Sequence, residues 1–223
     1  MKRTFFILWL IFAMFVSGCS VYLGSRETVE GSGVAASETR PVSKFTAIQL
    51  SGSADVTVTF GETQSVMIEA DDNLLPLIET RVSWGKLIIR NRPNANLHPR
   101  TPVRVTITMQ SLKSVSLPGS GNIAVSGLQA GKMQFDMRGS GNITADGAAD
   151  SVTITLNGSG NILCRELQAQ TATAKLSGSG IITVYASQKL EATISGSGSI
   201  QYAGSPGSVK KYVPGSGVVQ AAP

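Results

Sequence analysis

The sequence has few of the residues on which catalytic and metal sites are usually built. Its 223 residues include one histidine, His98, and two cysteines, Cys19 and Cys164. With no second histidine and no cysteine close to it in sequence, His98 is better interpreted as a solvated imidazole than as a metal ligand or general base. We therefore predict no catalytic residues, no metal site and no cofactor.

The net charge of the chain is also low. There are 19 basic and 14 acidic residues, for a formal net charge of +5, and they are scattered along the sequence. Removal of an N-terminal segment that contains Lys2 and Arg3 lowers this net charge to about +3. This charge is too weak and too dispersed to indicate a nucleic-acid partner.

Helical periodicity is missing from the C-terminal half, where a pentapeptide recurs instead. It reads GSGNI at 119–123, 139–143 and 158–162, GSGII at 178–182, GSGSI at 196–200 and GSGVV at 215–219. The intervals are 20, 19, 20, 18 and 19 residues. A fixed period of this length is typical of a solenoid, in which one small unit is repeated and stacked.

The residues around each GSG alternate with the period of a β-strand. Leu117 and Val115 precede the first GSG, Ile123 and Val125 follow it, and later repeats have apolar residues at equivalent positions. An apolar spacing of two, with two glycines per repeat, excludes a helix. Each repeat therefore predicts two short strands joined by a Gly-Ser-Gly corner.

Glycines suit such corners because they tolerate positive φ and let stacked backbones approach closely. The predicted corner glycines are Gly119, Gly121, Gly139, Gly141, Gly158, Gly160, Gly178, Gly180, Gly196, Gly198, Gly215 and Gly217. Asn122, Asn142 and Asn161 follow three of the corners and would stack about 4.8 Å apart. Two interpretations of these asparagines remain open: an amide ladder that stabilises the stack, and a polar strip that faces a ligand.

The first residues are typical of a secretion signal. Lys2 and Arg3 precede an apolar stretch from Phe5 to Val16, which is too short to span a bilayer comfortably. The following lipobox, Val16, Ser17, Gly18 and Cys19, resembles that of bacterial lipoproteins. This resemblance implies a signal peptide over 1–18, cleavage before Cys19, lipid on its thiol, and sorting to the outer membrane because Ser20 is not Asp.

The remaining chain divides into a tether and a folded domain. Residues 19–43 are rich in Ser, Gly, Thr and Glu and predict a flexible tether after the lipidated cysteine. Residues 44–223 predict the solenoid, with irregular, wider first coils over 44–118 and regular GSGNI coils over 119–223. We expect the first coils to cap the stack, and Cys164 to be buried as a small apolar residue.

From about Arg40 to the C-terminus, the chain is similar to a known family. The opening strands of 40–90, with the segments DDNLLP and WGKLIIR, followed by PVRVTITM and the GSGNI corners, resemble the head GIN domain family of auto-transporter adhesins. The resemblance implies an all-β, right-handed parallel β-helix-like solenoid with coils of about 20 residues. It also implies adhesion and brings no catalytic residues. We expect the lipid, in place of an auto-transporter barrel, to attach the domain.

Three functions are compatible with these features. The first is a non-enzymatic cell-envelope lipoprotein that adheres to glycans, matrix proteins or further copies of itself, and is held to the membrane by its lipid. The second is a periplasmic lipoprotein of envelope stress or assembly. The third is a polysaccharide-active enzyme, which requires carboxylates on neighbouring coils. Only Asp146 and Glu166 have a repeat position that brings two acids close, and a surface pair is favoured over a catalytic one.

Overall fold

The computed structural model describes residues 27–222, and this part of the chain is almost entirely β-structure. In chain order the strands are β1 (Glu27–Glu30), β2 (Ala35–Thr39), β3 (Ala47–Leu50), β4 (Asp55–Phe60), β5 (Ser65–Asp71), β6 (Ile78–Ser83), β7 (Lys86–Asn91), β8 (Ala95–His98), β9 (Arg104–Met109), β10 (Ser114–Leu117), β11 (Asn122–Met137), β12 (Asn142–Leu156), β13 (Asn161–Cys164), β14 (Leu167–Leu176), β15 (Ile181–Tyr185), β16 (Lys189–Ile194), β17 (Ser199–Ala203), β18 (Ser208–Tyr212) and β19 (Val218–Ala221). A 3₁₀ turn, Leu75–Leu77, contains Pro76. Within 27–222, no helix has the length and apolar character needed to cross a membrane.

The repeats form a β-solenoid of about 5 turns with coils of about 20 residues, as the sequence predicts. Strands that precede a GSG corner stack in parallel to make a first face, which consists of β10, 134–137, 151–156, 171–176, β16 and β18. Strands that follow a corner make a second face, which consists of 122–125, 142–145, β13, β15, β17 and β19. The parallel, in-register stacking that the period predicts is confirmed for these coils.

The middle coils have a third side that the sequence analysis missed. Residues 128–130 pair with 147–149, which pair in turn with 167–169. A register shift between Val125 and Leu128 and a positive φ of 75° at Gly127 turn the chain into this third face. The middle coils are therefore three-sided, where the spacing predicts only two strands per coil.

The core lies inside the coils and is made by the alternating apolar residues. Val115, Phe135, Ile154, Ala174 and Ala192 form one inward column and are all buried. Cys164 occupies an equivalent inward position on the second face, in register with Val184. Its thiol is free and fully buried, and this burial raises its pKa, which opposes formation of the reactive thiolate.

The corner glycines are needed for close approach and not for positive φ. None of the glycines in the six GSG corners has a positive φ, so that part of the expectation was wrong. A Cβ at Gly141 would instead overlap the carbonyl oxygen of Gly121 one coil below, and one at Gly180 would overlap that of Gly160. Each corner is therefore packed backbone to backbone against the next, and any side chain would force the coils apart.

At the N-terminal end of the stack, the order of the coils differs from the order of their segments in the sequence. β7 and β9 pair in parallel with β3 and β4, so segment 86–109 forms a coil outside segment 47–60. Antiparallel strands then cover this coil, with β6 on β7, β5 on β9 and β2 on β5. The expectation of parallel coils thus fails here, because antiparallel strands close the end of the stack.

Part of the predicted tether belongs to this cap. β1 pairs with β8, which lies between Pro93 and Pro99, and β2 pairs with β5. The composition predicted that residues 27–39 are flexible, but this is wrong, because their backbone groups are paired with the domain. Residues 19–26 of the predicted tether lie outside the described residues.

The buried carboxylate of Asp71 fastens this N-terminal segment to the cap. It accepts hydrogen bonds from the backbone amides of Gly33, Arg100 and Thr101, at 2.8, 2.9 and 3.2 Å. Burial acts to raise the pKa of Asp71, but these donated hydrogen bonds outweigh it and lower the pKa below the ordinary value. One side chain thus joins three segments that are distant in sequence.

At the C-terminal end, Lys211 crosses the last coil. Its Nζ donates a hydrogen bond to the carbonyl oxygen of Val219 at 3.1 Å and lies 5.2 Å from the centroid of the Tyr202 ring. Lys211 is in register with the inward Ala192, so a charged side chain stands where the core column ends. Inward charges at an edge discourage further strand pairing.

We predict that Gly141→Ala lowers the free energy of unfolding by roughly 3 kcal/mol, because the added methyl group overlaps the Gly121 carbonyl. Gly131→Ala is the matched control, since its Cβ would lie no closer than 3.5 Å to any neighbouring atom, that neighbour being Asp150 Oδ2. Urea unfolding followed by circular dichroism measures both variants. Equal stability of Gly141→Ala and the parent would contradict the proposed packing of the corners.

We further predict that Asp71→Asn lowers the melting temperature by about 5 °C at pH 7, because the amide replaces an acceptor with a donor facing backbone N–H groups. A carboxylate with a lowered pKa stabilises the fold above its unfolded pKa of about 3.9 and ceases to do so as the pH falls through the folded pKa. The difference in melting temperature between parent and variant should therefore narrow below about pH 4. A difference that stays constant from pH 7 to pH 2 would show that ionisation of Asp71 is irrelevant.

Candidate functional site

The three asparagines that follow the corners form a hydrogen-bonded ladder. Asn161 Nδ2 donates to Asn142 Oδ1 and Asn142 Nδ2 to Asn122 Oδ1, both at 2.9 Å. The ladder begins at Asp55, which accepts from Asn122 at 2.8 Å, and ends where the backbone N–H of Ile181 donates to Asn161 at 3.2 Å. Because the amides are used by one another, this geometry favours the structural interpretation over a ligand-facing strip.

A second polar column was not identified from the sequence. Gln188 Nε2 donates to Gln170 Oε1 at 3.3 Å, and Gln170 Nε2 lies 3.5 Å from Asp150 Oδ1. These residues stand where the third face meets the first. Positions 150, 170 and 188 have the same spacing as Gly158, Gly178 and Gly196. This shared spacing is the sequence signal from which an alignment of the repeats could have found the column.

The acids of the middle coils have structural partners. Asp146 Oδ1 accepts a hydrogen bond of 2.7 Å from the backbone N–H of Gly127, in the turn to the third face. Asp136 lies 3.4 Å from Arg138 in an exposed ion pair. Among residues 27–222, no group of three His, Cys, Asp or Glu side chains is placed to hold a metal ion. The geometry of Asp146 is therefore that of a turn cap.

His98 lies on β8, half exposed, within the cap. Its Nδ1 is 3.5 Å from Glu30 Oε1, and its Nε2 is 2.9 Å from Asn96 Nδ2. The ring thus contacts β1 and its own strand. These contacts connect the N-terminal segment to the domain.

The first face carries the cationic surface of the regular coils. The outward side chains on this face and at its edge include four lysines and two acids: Lys132 at the edge, and Lys175, Lys189, Lys210, Asp136 and Glu191 on the face. Threonines and serines fill most positions between them. The other two faces of these coils carry Asp146, Asp150, Glu166 and Arg165, so the solenoid is positive on one side and negative on the others.

Glu191 shows that the lysines of three coils converge. Lys189 Nζ lies 2.8 Å from Glu191 Oε1, and Lys210 is directly in register with Glu191 on the next coil. The hydrogen bond from Lys189 and the positive charges of Lys189, Lys210 and Lys175 lower the pKa of Glu191. Three cations around one carboxylate leave this patch with a net positive charge.

Two open grooves run beside the first face. The larger, of about 540 Å³, is lined by residues that include Lys113, Lys132, Gln129, Gln134 and Thr153. The other, of about 360 Å³, is lined by residues that include Gln129, Gln168, Gln170, Tyr185 and Ser187. Both are polar furrows between stacked side chains, a form that suits an extended ligand better than an enclosed small molecule.

The predicted lipobox lies outside the described residues. It comprises Val16, Ser17, Gly18 and Cys19, and its role is taken up below as a proposal. The corner glycines lie between the first and second faces, and the asparagines are the first residues of the second-face strands.

We predict that Asn142→Asp lowers the free energy of unfolding by about 1–2 kcal/mol at pH 7, since a carboxylate cannot donate to Asn122 and brings two acceptor oxygens together. Asn142→Ala should cost less, because it removes the partners without this repulsion. Chemical unfolding of both variants compares these free energies. If Asn142→Asp were more stable than Asn142→Ala, the ladder would not be what holds the coils together.

Known proteins share this architecture. A “putative adhesin” of Bacteroides fragilis NCTC 9343 superposes with a TM-score of 0.72 at 22% sequence identity, covering 87% of this chain and 100% of that one. A “putative lipid binding protein” of Parabacteroides distasonis ATCC 8503 gives 0.56 at 24%, covering 88% and 100%. A “putative adhesin” of Parabacteroides merdae ATCC 43184 gives 0.56 at 22%, covering 88% and 99%. At these identities the likeness establishes a shared fold.

Sequence comparison identifies the family directly. No curated protein matches the chain. A family model described as “Putative auto-transporter adhesin, head GIN domain” matches residues 44–206. This match covers most of the chain and includes the first coils and all but the last of the GSG corners. The chain therefore belongs to the head GIN domain family, and its β-solenoid is an adhesin-like module.

Proposed function

We propose that the protein is a non-enzymatic lipoprotein of the cell envelope, which binds glycan or protein partners along the first face of its solenoid. The observation that supports this proposal most directly is the one-sided charge of the regular coils. Lys175, Lys189 and Lys210 project from three successive coils, at different positions along their strands, while the acids lie mainly on the other faces. A rigid face with cations on successive coils suits an extended partner that carries acidic groups.

The lipid anchor is the second part of the proposal. The lipobox and the apolar segment before it support cleavage at Cys19, with acylation of its thiol and of the new N-terminus. Several acyl chains on one residue hold a protein stably in a membrane, because each buried methylene contributes roughly 0.8 kcal/mol. Ser20 favours the outer membrane. The N-terminal segment then leads directly into the cap through β1.

An envelope role inside the periplasm is the alternative, because an anchor and a polar face serve it equally well. Protease accessibility of the solenoid on intact cells distinguishes the two, with a known periplasmic protein as the integrity control. Cleavage of the solenoid on intact cells supports adhesion to partners outside the cell. Complete protection contradicts it and favours a periplasmic partner, which crosslinking would identify.

The binding face is tested with charge variants. We predict that Lys175→Gln and Lys210→Gln each weaken binding to acidic glycans or acidic proteins by about three- to tenfold, with the larger effect at low salt. Arg104→Gln, which removes the same charge from a strand that pairs at the base of the second face, is the matched control and should bind like the parent. Binding to an array of glycans and matrix proteins measures the effect. Equal losses in all three variants would show that net charge, and not the first face, determines binding.

A further inference from the structure

One residue of the cap, Trp84, has both an unusual exposure and an unusual backbone conformation. Trp84 is fully exposed, with a relative exposure of 102%, although tryptophan is a residue that folding normally buries. It also has a positive φ of 53°, and the following Gly85 has one of 70°. Exposure and unfavourable backbone conformation thus coincide at one residue.

The turn explains why this conformation is unfavourable. Ser83 pairs with Lys86, so Trp84 and Gly85 are the two residues of a tight hairpin between β6 and β7. Positive φ at both central residues is the pattern of a type I′ turn, in which asparagine, aspartate or glycine is preferred at the first position. A bulky side chain there is strained, and such strain is typical of functional positions.

The surroundings of Trp84 are cationic. Arg81 and Lys86 belong to the same hairpin, three residues before and two after Trp84, and Lys44 is two residues before Thr46, whose backbone N–H donates to the carbonyl oxygen of Gly85 at 3.0 Å. None of these three cations forms an ion pair with another residue of 27–222. An indole with unpaired cations around it matches the composition of protein surfaces that contact the headgroups of a bilayer.

The hairpin is also at the end of the solenoid nearest to the anchor. β6 pairs only with β7, which belongs to the outermost coil, and the described chain enters this same cap at Glu27. Glu27 is eight residue steps beyond Cys19, and these steps reach at most about 28 Å. The start of β1, which enters the cap, is therefore held within that distance of any membrane in which Cys19 is anchored.

We propose that Trp84 and its flanking cations dock the cap onto the anionic phospholipid surface to which the chain is anchored. This inference rests on the proposed lipid anchor at Cys19. Docking fixes the tilt of the solenoid relative to the membrane. The first face then keeps one orientation, whereas without docking the domain would rotate freely on its tether. The indole lies at headgroup level, and the cations contact lipid phosphates.

The chain offers a direct test, because it has two tryptophans and only Trp84 remains after cleavage of the signal peptide that contains Trp9. The lipidated mature protein is reconstituted in vesicles of phosphatidylcholine, with or without phosphatidylglycerol. With phosphatidylglycerol, we expect lipids brominated near the headgroup to quench Trp84 emission, and acrylamide quenching to fall at least twofold. High salt should reduce both effects.

A substitution separates docking from folding. Trp84→Asn suits the turn better, so we expect its melting temperature to rise by about 2–4 °C. At the same time, the protection of the β6–β7 hairpin from amide exchange that anionic vesicles confer should be lost. Tyr212→Asn is the control, because Tyr212 is an exposed aromatic on β18 at the opposite end of the solenoid. This variant should leave the quenching of Trp84 by brominated lipid unchanged.

Two results would overturn the proposal. One is full acrylamide access to Trp84 with no quenching by brominated lipid in either type of vesicle. The other is a Trp84 emission shift that appears only when an acidic polysaccharide is added, which would assign the hairpin to a glycan. The mass of the N-terminal peptide independently reports whether Cys19 is acylated, so failure of the anchor is distinguished from failure of the docking.

Discussion

The close contact between the backbones of successive corners is the constraint on which the regular coils depend. At each GSG corner, the glycines lie against backbone carbonyls of the coil below, which after the first corner belong to the equivalent glycines, with no room for a Cβ. This contact fixes the register of every strand that enters or leaves the corner. The inward apolar column of Phe135 and Ile154 and the amide ladder of Asn122 and Asn142 both follow from that register, because in-register stacking brings identical repeat positions together.

The same constraint explains how much of the structure the sequence could predict. The corners, the alternating core and the asparagine ladder recur with a period, so a local pattern was enough to place Val115 or Asn142. The cap has no period, and it is held by contacts between distant segments, such as the hydrogen bonds of Asp71 to Gly33 and Arg100. The composition of 27–39 indicated flexibility because nothing local revealed that β5 and β8 would pair with it. The missed third face depends on a bulge at Gly127, which alternation alone does not encode.

The repetitive backbone also determines where a function can reside. Strands at a constant spacing produce broad faces and shallow furrows in the regular coils, so recognition must come from the side chains displayed in rows. The first face displays cations on successive coils, and Glu191, held ionised by Lys189 and its neighbours, lowers but does not cancel their charge. Such a surface gains affinity by repetition of weak contacts, which is the mode expected of an adhesin-like module.

Within residues 27–222, two residues other than glycine have a positive φ, Asn94 and Trp84, and they differ in how well their residue type tolerates it. Asn94, with a φ of 66°, belongs to a residue type that tolerates the left-handed region, so its turn needs no further explanation. Trp84 has nearly the same backbone conformation without that tolerance, and its side chain contributes nothing to the core. Elsewhere in the domain, glycine stands where backbones meet and asparagine stands where amides stack, and both choices favour folding. Tryptophan at a type I′ turn does not favour folding. We therefore infer that the indole serves a contact outside the domain, and the anchor proposed at Cys19 makes a membrane surface the nearest such contact.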